Sequence, residues 1–233
     1  MVQAESNPFF GKYNTPFETT PFDKIKTEHY EPAFQRGIDE LKKDIDNITN
    51  NPKPATFENT IVALERSGKL LNRVSGAFFN VLSANANDEM MEISQRVSPS
   101  LTESSNYIYL NEKLFNRVKA VYDQRASLNL NTEDAKLLEE TFRSFQEKGA
   151  NLNSADKEKY KELTKELSLL TLQFDQNSLK DQNRFEMLLT DQKEVAGLPE
   201  SALDAAKFAA KEKGKEGWLF TLDAPSYGAF VKY

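Results

Sequence analysis

Between Tyr30 and Ile48, apolar residues recur at alternating intervals of four and three positions, and this spacing constrains the fold more than any other feature. Side chains three and four positions apart lie on the same side of an α-helix. The pattern therefore predicts an amphipathic helix with one buried stripe, with Thr27 as its N-cap, Pro32 in its first turn and a stop at 50–54. The stripe comprises Tyr30, Phe34, Ile38, Leu41, Ile45 and Ile48.

The same periodicity returns along most of the remaining chain and predicts further helices. Thr56, Asn111 and Thr132 are the predicted N-caps of three of them, and Gly149 is a predicted stop. The fold class predicted from these patterns is all-α and bundle-like. The predicted apolar faces are Phe57, Ile61, Leu64, Leu71, Val74, Phe78 and Val81; Met91, Val97 and Leu101; Leu114, Phe115, Val118 and Tyr122; Leu138, Phe142 and Phe145; and Tyr160, Leu163, Leu167, Leu170 and Phe174.

Two residues interrupt these patterns and carry expectations of their own. Gly68 stands on the apolar face of the helix that begins after Thr56. Because glycine has no Cβ, we expect a neighbouring helix to approach closely at Gly68. Pro99 lies within the segment that Asp88 opens, and we expect it to kink or interrupt that helix.

Both ends of the chain depart from the helical pattern. Residues 1–22 combine prolines with the rings of Phe9, Phe10, Tyr13, Phe17 and Phe22, which favours an extended arm pinned to a surface by its aromatic side chains. The run at 218–222 is strand-like and follows a short alanine-rich helix. The length of 233 residues permits one large domain or two small ones. The predicted organisation is an arm at 1–22, a helical domain at 23–195, and a short helix plus strand-like segment at 196–233.

The composition removes several functional classes. The chain has 30 lysine and arginine residues against 36 acidic residues, for a net charge of −6, so it offers no broad positive field for nucleic acid phosphates. It contains no cysteine, which excludes disulfides, thiolate nucleophiles and cysteine metal ligands. No run of about 18 apolar residues is present, so we expect neither a membrane-spanning helix nor a membrane partner. The compartment is open between cytoplasm and periplasm, the latter if a signal peptide has been removed.

No reactive cluster emerges from the residues themselves. His29 is the single histidine, and its neighbour Glu28 points about 100° away on a helix, so the two do not converge on one metal ion. The carboxylates at 139–140 and at Asp44 and Asp46 are typical of solvated, ion-paired helix surfaces. A serine triad would need a histidine base, and the sequence contains no recognisable serine motif that would pair with His29. We therefore predict no catalytic, metal-binding or cofactor-binding residue in this sequence.

Six stretches, taken in order, resemble the N-terminal region of the thimet-oligopeptidase and neurolysin-like zinc metallopeptidases, nearest to the bacterial peptidyl-dipeptidase and oligopeptidase branch. The segment GWLFTLDAPSYGAFVKY at 217–233 is similar to a middle segment of such enzymes, so the chain resembles an N-terminal fragment. The six stretches are NPFF at 7–10, EHYEPAF at 28–34, ATFENTIVALERSGKLLNRV at 55–74, AFFNVLSANANDEMMEI at 77–93, NEKLFNRVKAVY at 111–122 and GLPESAL at 197–203.

The resemblance implies a mostly helical ellipsoid split by a deep channel that admits short peptides. In that family two histidines and a glutamate hold Zn²⁺, and the ligands come from an HExxH helix and a second helix that this sequence lacks. The N-terminal helices form a wall of the channel. The resemblance thus implies that this part is inactive alone, holds no zinc, and has the missing C-terminal catalytic domain of the same chain as its partner, within a monomeric full-length enzyme. Apolar surface left uncovered is expected to cause self-association of the isolated part.

Two functions of different classes remain open at this point. The first is the non-catalytic N-terminal fragment of a zinc peptidyl-dipeptidase or oligopeptidase, which forms a channel wall and restricts access. The alternative is a self-standing helical module that binds a protein or peptide without enzymatic activity.

Overall fold

The computed structural model describes residues 7–233, and their contacts divide them into two compact units with the boundary between Leu170 and Thr171. The predicted limits at 22 and 195 stay predictions. The first unit contains α1 (Tyr30–Thr49), a π-helical turn (Phe57–Val62), α2 (Ala63–Glu65), α3 (Lys69–Asn85), α4 (Asp88–Tyr109), α5 (Glu112–Asp123), α6 (Thr132–Glu147) and the first part of α7 (Ser154–Arg184). The second unit contains the rest of α7, β1 (Met187–Leu189), α8 (Glu200–Glu212), β2 (Trp218–Phe220) and α9 (Ala224–Lys232). The predicted all-α class is confirmed.

The core of the first unit forms around α1. All six residues of the predicted stripe are buried, as are Leu71, Val74 and Phe78 of α3. The Phe34 and Phe78 rings meet edge to face with their centroids 5.4 Å apart. A second aromatic group joins α5 to α6, where Phe115 stacks at 5.9 Å on both Phe142 and Phe145. The four-and-three spacing thus identified the faces that these helices bury.

The predicted N-caps are partly confirmed. The Thr56 hydroxyl accepts a hydrogen bond from the backbone N–H of Asn59 at 3.2 Å, and the Asn111 side chain accepts one from Leu114 at 3.0 Å. Gly149 follows the end of α6 and has a φ of 90°, as expected of a glycine that ends a helix.

Two predicted caps, Thr132 and Thr27, are wrong. Asn131 caps α6 instead of Thr132, because the Asn131 amide oxygen reaches the third N–H of the helix, that of Asp134, at 2.8 Å. Thr27 lies inside a 3₁₀ turn, Thr27–His29, that precedes α1, and Lys26 occupies the N-cap position of that turn.

The expectations for Gly68 and Pro99 need correction. Gly68 is not inside a helix: it adopts a left-handed φ of 63° and separates α2 from α3. The close approach expected there is confirmed, since an added Cβ would lie 2.9 Å from Cδ1 of Leu41. Pro99 does not interrupt its helix, because α4 runs through it from Asp88 to Tyr109.

The N-terminal arm is described from Asn7 onward, so residues 1–6 of the predicted segment lie outside the described residues. Phe9 and Tyr13 are buried as predicted. The Arg73 guanidinium lies 4.6 Å from the centre of the Tyr13 ring and donates to the carbonyl of Phe9 at 3.3 Å. Phe17 and Phe22 are exposed, which contradicts their predicted role as anchors.

α7 is the longest helix among residues 7–233, but its apolar stripe is not buried. Leu163, Leu167 and Leu170 are 54, 62 and 53% exposed, and Phe174 is 72% exposed. The predicted apolar face of α7 is therefore largely uncovered within the described residues. Within that same part of the chain, no helix is both long and apolar enough to cross a membrane.

The second unit has a small core of its own. The predicted strand at Trp218 is confirmed and pairs antiparallel with β1, with Leu219 opposite Leu188. Val195 and Phe220 are buried there, and the Phe220 ring lies 5.0 Å from that of Phe230.

Candidate functional site

His29 lies at the junction between the 3₁₀ turn and α1, where it has a structural role. Its ring Nδ1 accepts a hydrogen bond from the backbone N–H of Lys26 at 3.0 Å, and its carbonyl accepts one from the Asn7 side chain at 2.8 Å. The Glu28 carboxylate is 4.0 Å from Nε2. One imidazole nitrogen is thus committed to the turn before α1, whereas the backbone carbonyl of the same residue holds the arm.

The paired carboxylates are engaged with basic or backbone partners. Glu140 pairs with Lys136 at 2.7 Å and also with Arg143, on the exposed side of α6. Asp44 accepts a hydrogen bond from the backbone N–H of Gly68 at 3.1 Å, which fixes the break before α3. These carboxylates therefore support secondary structure, and none forms an acid and base pair.

A further carboxylate contact joins α1 to α4. The Tyr107 hydroxyl donates a hydrogen bond to Asp46. This bond raises the pKa of Tyr107 above its ordinary value, because the deprotonated phenol would lose the bond and face a carboxylate. Tyr107 therefore stays protonated at neutral pH and links the two helices.

The described residues do not fit a hydrolytic zinc centre. Zinc in such centres takes imidazole, thiolate and carboxylate ligands that converge on one point. Across residues 7–233 no three side chains of these types gather closely enough to hold a metal ion. The sequence has a single histidine and no cysteine, and Nδ1 of that histidine is occupied. The absence of site residues from this chain stays a prediction.

A cleft of about 560 Å³ lies in the first unit between α1, α4 and α7. Lys42, Lys161 and Lys165 line it with Glu103 and Tyr107. Lys165 is paired with Glu103 at 3.5 Å, and Lys161 with Glu158 at 2.7 Å. Charges of both signs line this cleft, so it can hydrogen-bond polar groups, but no nucleophile stands beside a base among its lining residues.

A second cleft, about 630 Å³ in volume, lies within the second unit and is mostly apolar. Alanines of α8 form one side, and Leu219 and Phe220 of β2 form the floor. Ser226 also lines it, and its hydroxyl accepts the backbone N–H of Thr221 at 2.9 Å. The residues that line this cleft include no histidine that could serve Ser226 as a base.

Arg117 is the best-connected polar residue that the sequence patterns missed. It lies on α5 and donates to the carbonyls of Asn51 and Lys53 at 3.1 Å and to the side chain of Asn59 at 2.9 Å. Asn59 in turn accepts the N–H of Thr56 at 2.9 Å. The guanidinium therefore links α5 to the loop at 51–53 and to the π-helical turn. No local signal in the sequence identifies partners about 60 positions away.

Comparison with known proteins shows that the chain is similar in sequence to several peptidases. The chain is 40% identical to dipeptidyl carboxypeptidase of Escherichia coli over 93% of its length. It is 32% identical over 94% of its length to oligopeptidase A of the same organism, and 27% identical over 95% to organellar oligopeptidase A of Arabidopsis thaliana. No family model matches the chain.

These matches cover the chain almost completely but the relatives only in part. The chain spans 32% of the length of the E. coli dipeptidyl carboxypeptidase and 32% of oligopeptidase A. The resemblance derived from the six stretches is confirmed, since both kinds of relative belong to the branch that it indicated. The chain is thus a homologue of the dipeptidyl carboxypeptidases and oligopeptidases A along about a third of their length.

Proposed function

We propose that this chain is the N-terminal, non-catalytic part of a zinc peptidase of the dipeptidyl carboxypeptidase or oligopeptidase A kind. The observation that carries the proposal is the 40% identity to a dipeptidyl carboxypeptidase across 93% of the chain. The catalytic Zn²⁺ is held by residues outside this sequence, and the remaining catalytic domain of the same polypeptide is the partner of this part. Short peptides are the substrates of the whole enzyme.

Within that enzyme the chain acts as one wall of the substrate channel. The use of its polar side chains supports this role: His29, Asp44 and Arg117 all bind backbone groups and fix helix positions. A wall that excludes folded proteins requires rigid helices at fixed positions, and it needs no reactive group of its own.

The test is a comparison of two proteins, this 233-residue chain and a version extended to the full length of its relatives. Each is incubated with a short unstructured peptide, and the products are identified by mass spectrometry. The extended protein is expected to hydrolyse the peptide in a chelator-sensitive manner, whereas the 233-residue chain is not. If the extended protein leaves the peptide intact at saturating zinc, the proposal fails. Release of carboxy-terminal dipeptides would identify the extended protein as a dipeptidyl carboxypeptidase, and internal cleavage would identify it as an oligopeptidase.

The exposed leucines of α7 favour a second candidate, a helical module that binds a partner without hydrolysis. Leu163, Leu167 and Leu170 form an apolar surface of the kind that helix partners recognise. This alternative predicts that the 233-residue chain is the functional protein and binds an amphipathic peptide with micromolar affinity. If calorimetric titration with such a peptide gives no heat of binding at millimolar concentration, this alternative is eliminated.

A further inference from the structure

The small sheet of the second unit leaves one edge of β2 open. Among residues 7–233 this sheet consists of β1 and β2 alone, so β1 occupies one edge of β2 and no strand occupies the other. The outer edge of a strand presents backbone N–H and C=O groups that can pair with a further strand. We call this side of Trp218–Phe220 the open edge.

The apolar cleft of about 630 Å³ runs along the open edge. Leu219, Phe220 and Thr221 all line the cleft, although they follow one another in the chain. Successive side chains of a strand point to opposite faces of the sheet. A cleft that touches three consecutive residues therefore lies beside the strand and not over one of its faces. Because β1 fills the other side, the cleft lies at the open edge.

The opposite wall of the cleft is formed by α8, and its side chains are small. Ala202, Ala205 and Ala209 line the cleft at intervals of three and four, so they share one side of the helix. Their methyl groups leave space between the helix and β2. The volume of the cleft also falls within the range of pockets that hold small ligands, about 300–1,000 Å³. The cleft can thus hold a short extended chain with apolar side chains.

A carboxylate lies where β2 ends. Asp223 is the only charged side chain among the lining residues, and it is exposed. It accepts a hydrogen bond from the Thr221 hydroxyl at 2.9 Å, which leaves further acceptor positions on the carboxylate. A peptide that pairs antiparallel with β2 has its N-terminus at this end of the strand. The peptide ammonium and the Asp223 carboxylate are then complementary in charge.

We infer that this cleft binds a short extended peptide, which adds to the open edge as an antiparallel strand and places its free N-terminal ammonium on Asp223. Main-chain hydrogen bonds to β2 supply the recognition of an extended backbone, and the alanines of α8 accommodate apolar side chains. The inference rests on the proposed function, because it takes the ligand from the short peptides on which the whole enzyme acts. It adds a binding site within this chain and the atoms that recognise the peptide.

Calorimetric titration of the 233-residue chain with three forms of the peptide Ala-Ala-Val-Ala tests the inference. The form with a free amino terminus is expected to bind with a Kd below about 1 mM. Acetylation of the amino terminus removes the charge and is expected to weaken binding at least about tenfold. Methylation of alternate backbone nitrogens removes donors that a paired strand needs, and it is expected to weaken binding by at least about the same factor.

A carboxylate substitution locates the ammonium contact. Asp223→Asn is expected to weaken binding of the free-amino form at least about tenfold and to leave binding of the acetylated form unchanged. Asp204→Asn is the matched control, since Asp204 is an exposed carboxylate of α8 outside the cleft lining, and it is expected to change neither. The three peptide forms act on the unaltered chain, so the test does not depend on the folding of a variant.

Nuclear magnetic resonance of the 233-residue chain identifies where the peptide lies. The amide signals of Leu219, Phe220 and Thr221 are expected to move on titration with the free-amino form. Movement of signals in the first unit alone would overturn the inference. Equal affinity for the free-amino and acetylated forms would do the same, as would equal affinity for the methylated form or no binding at 10 times about 1 mM peptide.

The inference and the proposed function can fail separately. Hydrolysis by the extended protein is measured by mass spectrometry, whereas binding is measured on the 233-residue chain. Peptide binding at the open edge without hydrolysis by the extended protein would support the inference and contradict the proposed function. Hydrolysis by the extended protein without binding to the 233-residue chain would do the reverse.

Discussion

At the scale of single residues, Gly37 sets how closely α1 and α3 can approach. A Cβ added at Gly37 would lie 2.9 Å from both Cα and N of Leu71, and these backbone atoms cannot move aside easily. We expect Gly37→Ala to lower the free energy of unfolding by about 1–3 kcal/mol through overpacking, which exceeds the helix-propensity gain of about 1 kcal/mol.

Urea denaturation measures this effect, and Gly76→Ala is its matched control. Gly76 also lies inside a helix, α3, but a Cβ there would meet no atom within 4 Å. The control is therefore expected to raise the stability by up to about 1 kcal/mol. Equal effects of the two substitutions would contradict the close helix contact.

Gly68 is constrained by its backbone conformation. Its φ is 63°, a region that glycine and asparagine enter readily and β-branched residues avoid. We expect Gly68→Val to destabilise the protein by about 1–3 kcal/mol, and Gly68→Asn to cost less. Unfolding in guanidinium chloride ranks the stabilities of the two variants. A greater loss of stability in Gly68→Asn than in Gly68→Val would refute the left-handed conformation of Gly68.

Glu186 provides a pH-dependent contact in the second unit. Hydrogen bonds from Lys213, and then from Lys215, lower its pKa from 4.5 to about 2. A carboxyl with a depressed folded-state pKa contributes stability above its unfolded pKa and loses it as the pH falls through the folded value. We therefore expect the contribution of Glu186 to be complete above about pH 4.5 and lost near pH 2.

Acid titration of Glu186→Gln measures this contribution. The variant is expected to be less stable than the parent at neutral pH, and the difference is expected to disappear towards pH 2. Replacement of the exposed Glu216 by glutamine serves as the control, because no ion pair is found for it among the described residues. A constant difference between parent and Glu186→Gln across the whole range would contradict the assignment.

At the scale of elements, α5 holds the loop before the π-helical turn through Arg117. Its guanidinium donates to two carbonyls and to Asn59, a geometry that a lysine ammonium cannot reproduce. We expect Arg117→Lys to lower the stability by about 1–3 kcal/mol, because the partly buried Asn51 carbonyl and Asn59 side chain lose a charged donor. The control is Arg66→Lys, which alters an exposed pair with Glu58 at 3.5 Å and should cost less than about 1 kcal/mol in the same chemical denaturation.

The sequence predicts some elements better than others for a physical reason. α1 was predicted correctly with its whole stripe, because periodicity determines which side chains share a face. The same rule grouped Leu163, Leu167 and Leu170 on one face of α7, but these leucines are exposed, because periodicity does not say whether a partner for that face is present. Gly68 was placed inside a helix because a break depends on φ, and the local apolar pattern continues across it.

The candidate site shows the same division. The structural role of His29 follows from local sequence, because its hydrogen bond reaches only three residues back to Lys26. Arg117 was missed because its partners lie more than 50 residues away and the loop that carries them has no periodic pattern. Polar contacts between residues close in sequence could thus be predicted, whereas those between distant residues could be found only in the structure.

At the scale of the whole molecule, the proposed function assigns position and shape to this chain and the reaction to residues outside it. Its charged side chains hold helices and loops in place, and its single histidine anchors the arm. Its relatives are peptidases about three times as long, of which it spans 32%.

The zinc content of the purified 233-residue chain, compared with that of the extended protein after dialysis, tests this account most directly. Elemental analysis is expected to give about one zinc per extended protein and essentially none for the 233-residue chain, since a hydrolytic centre requires about three converging protein ligands. A stoichiometric zinc in the 233-residue chain that disappears in His29→Ala would contradict the account.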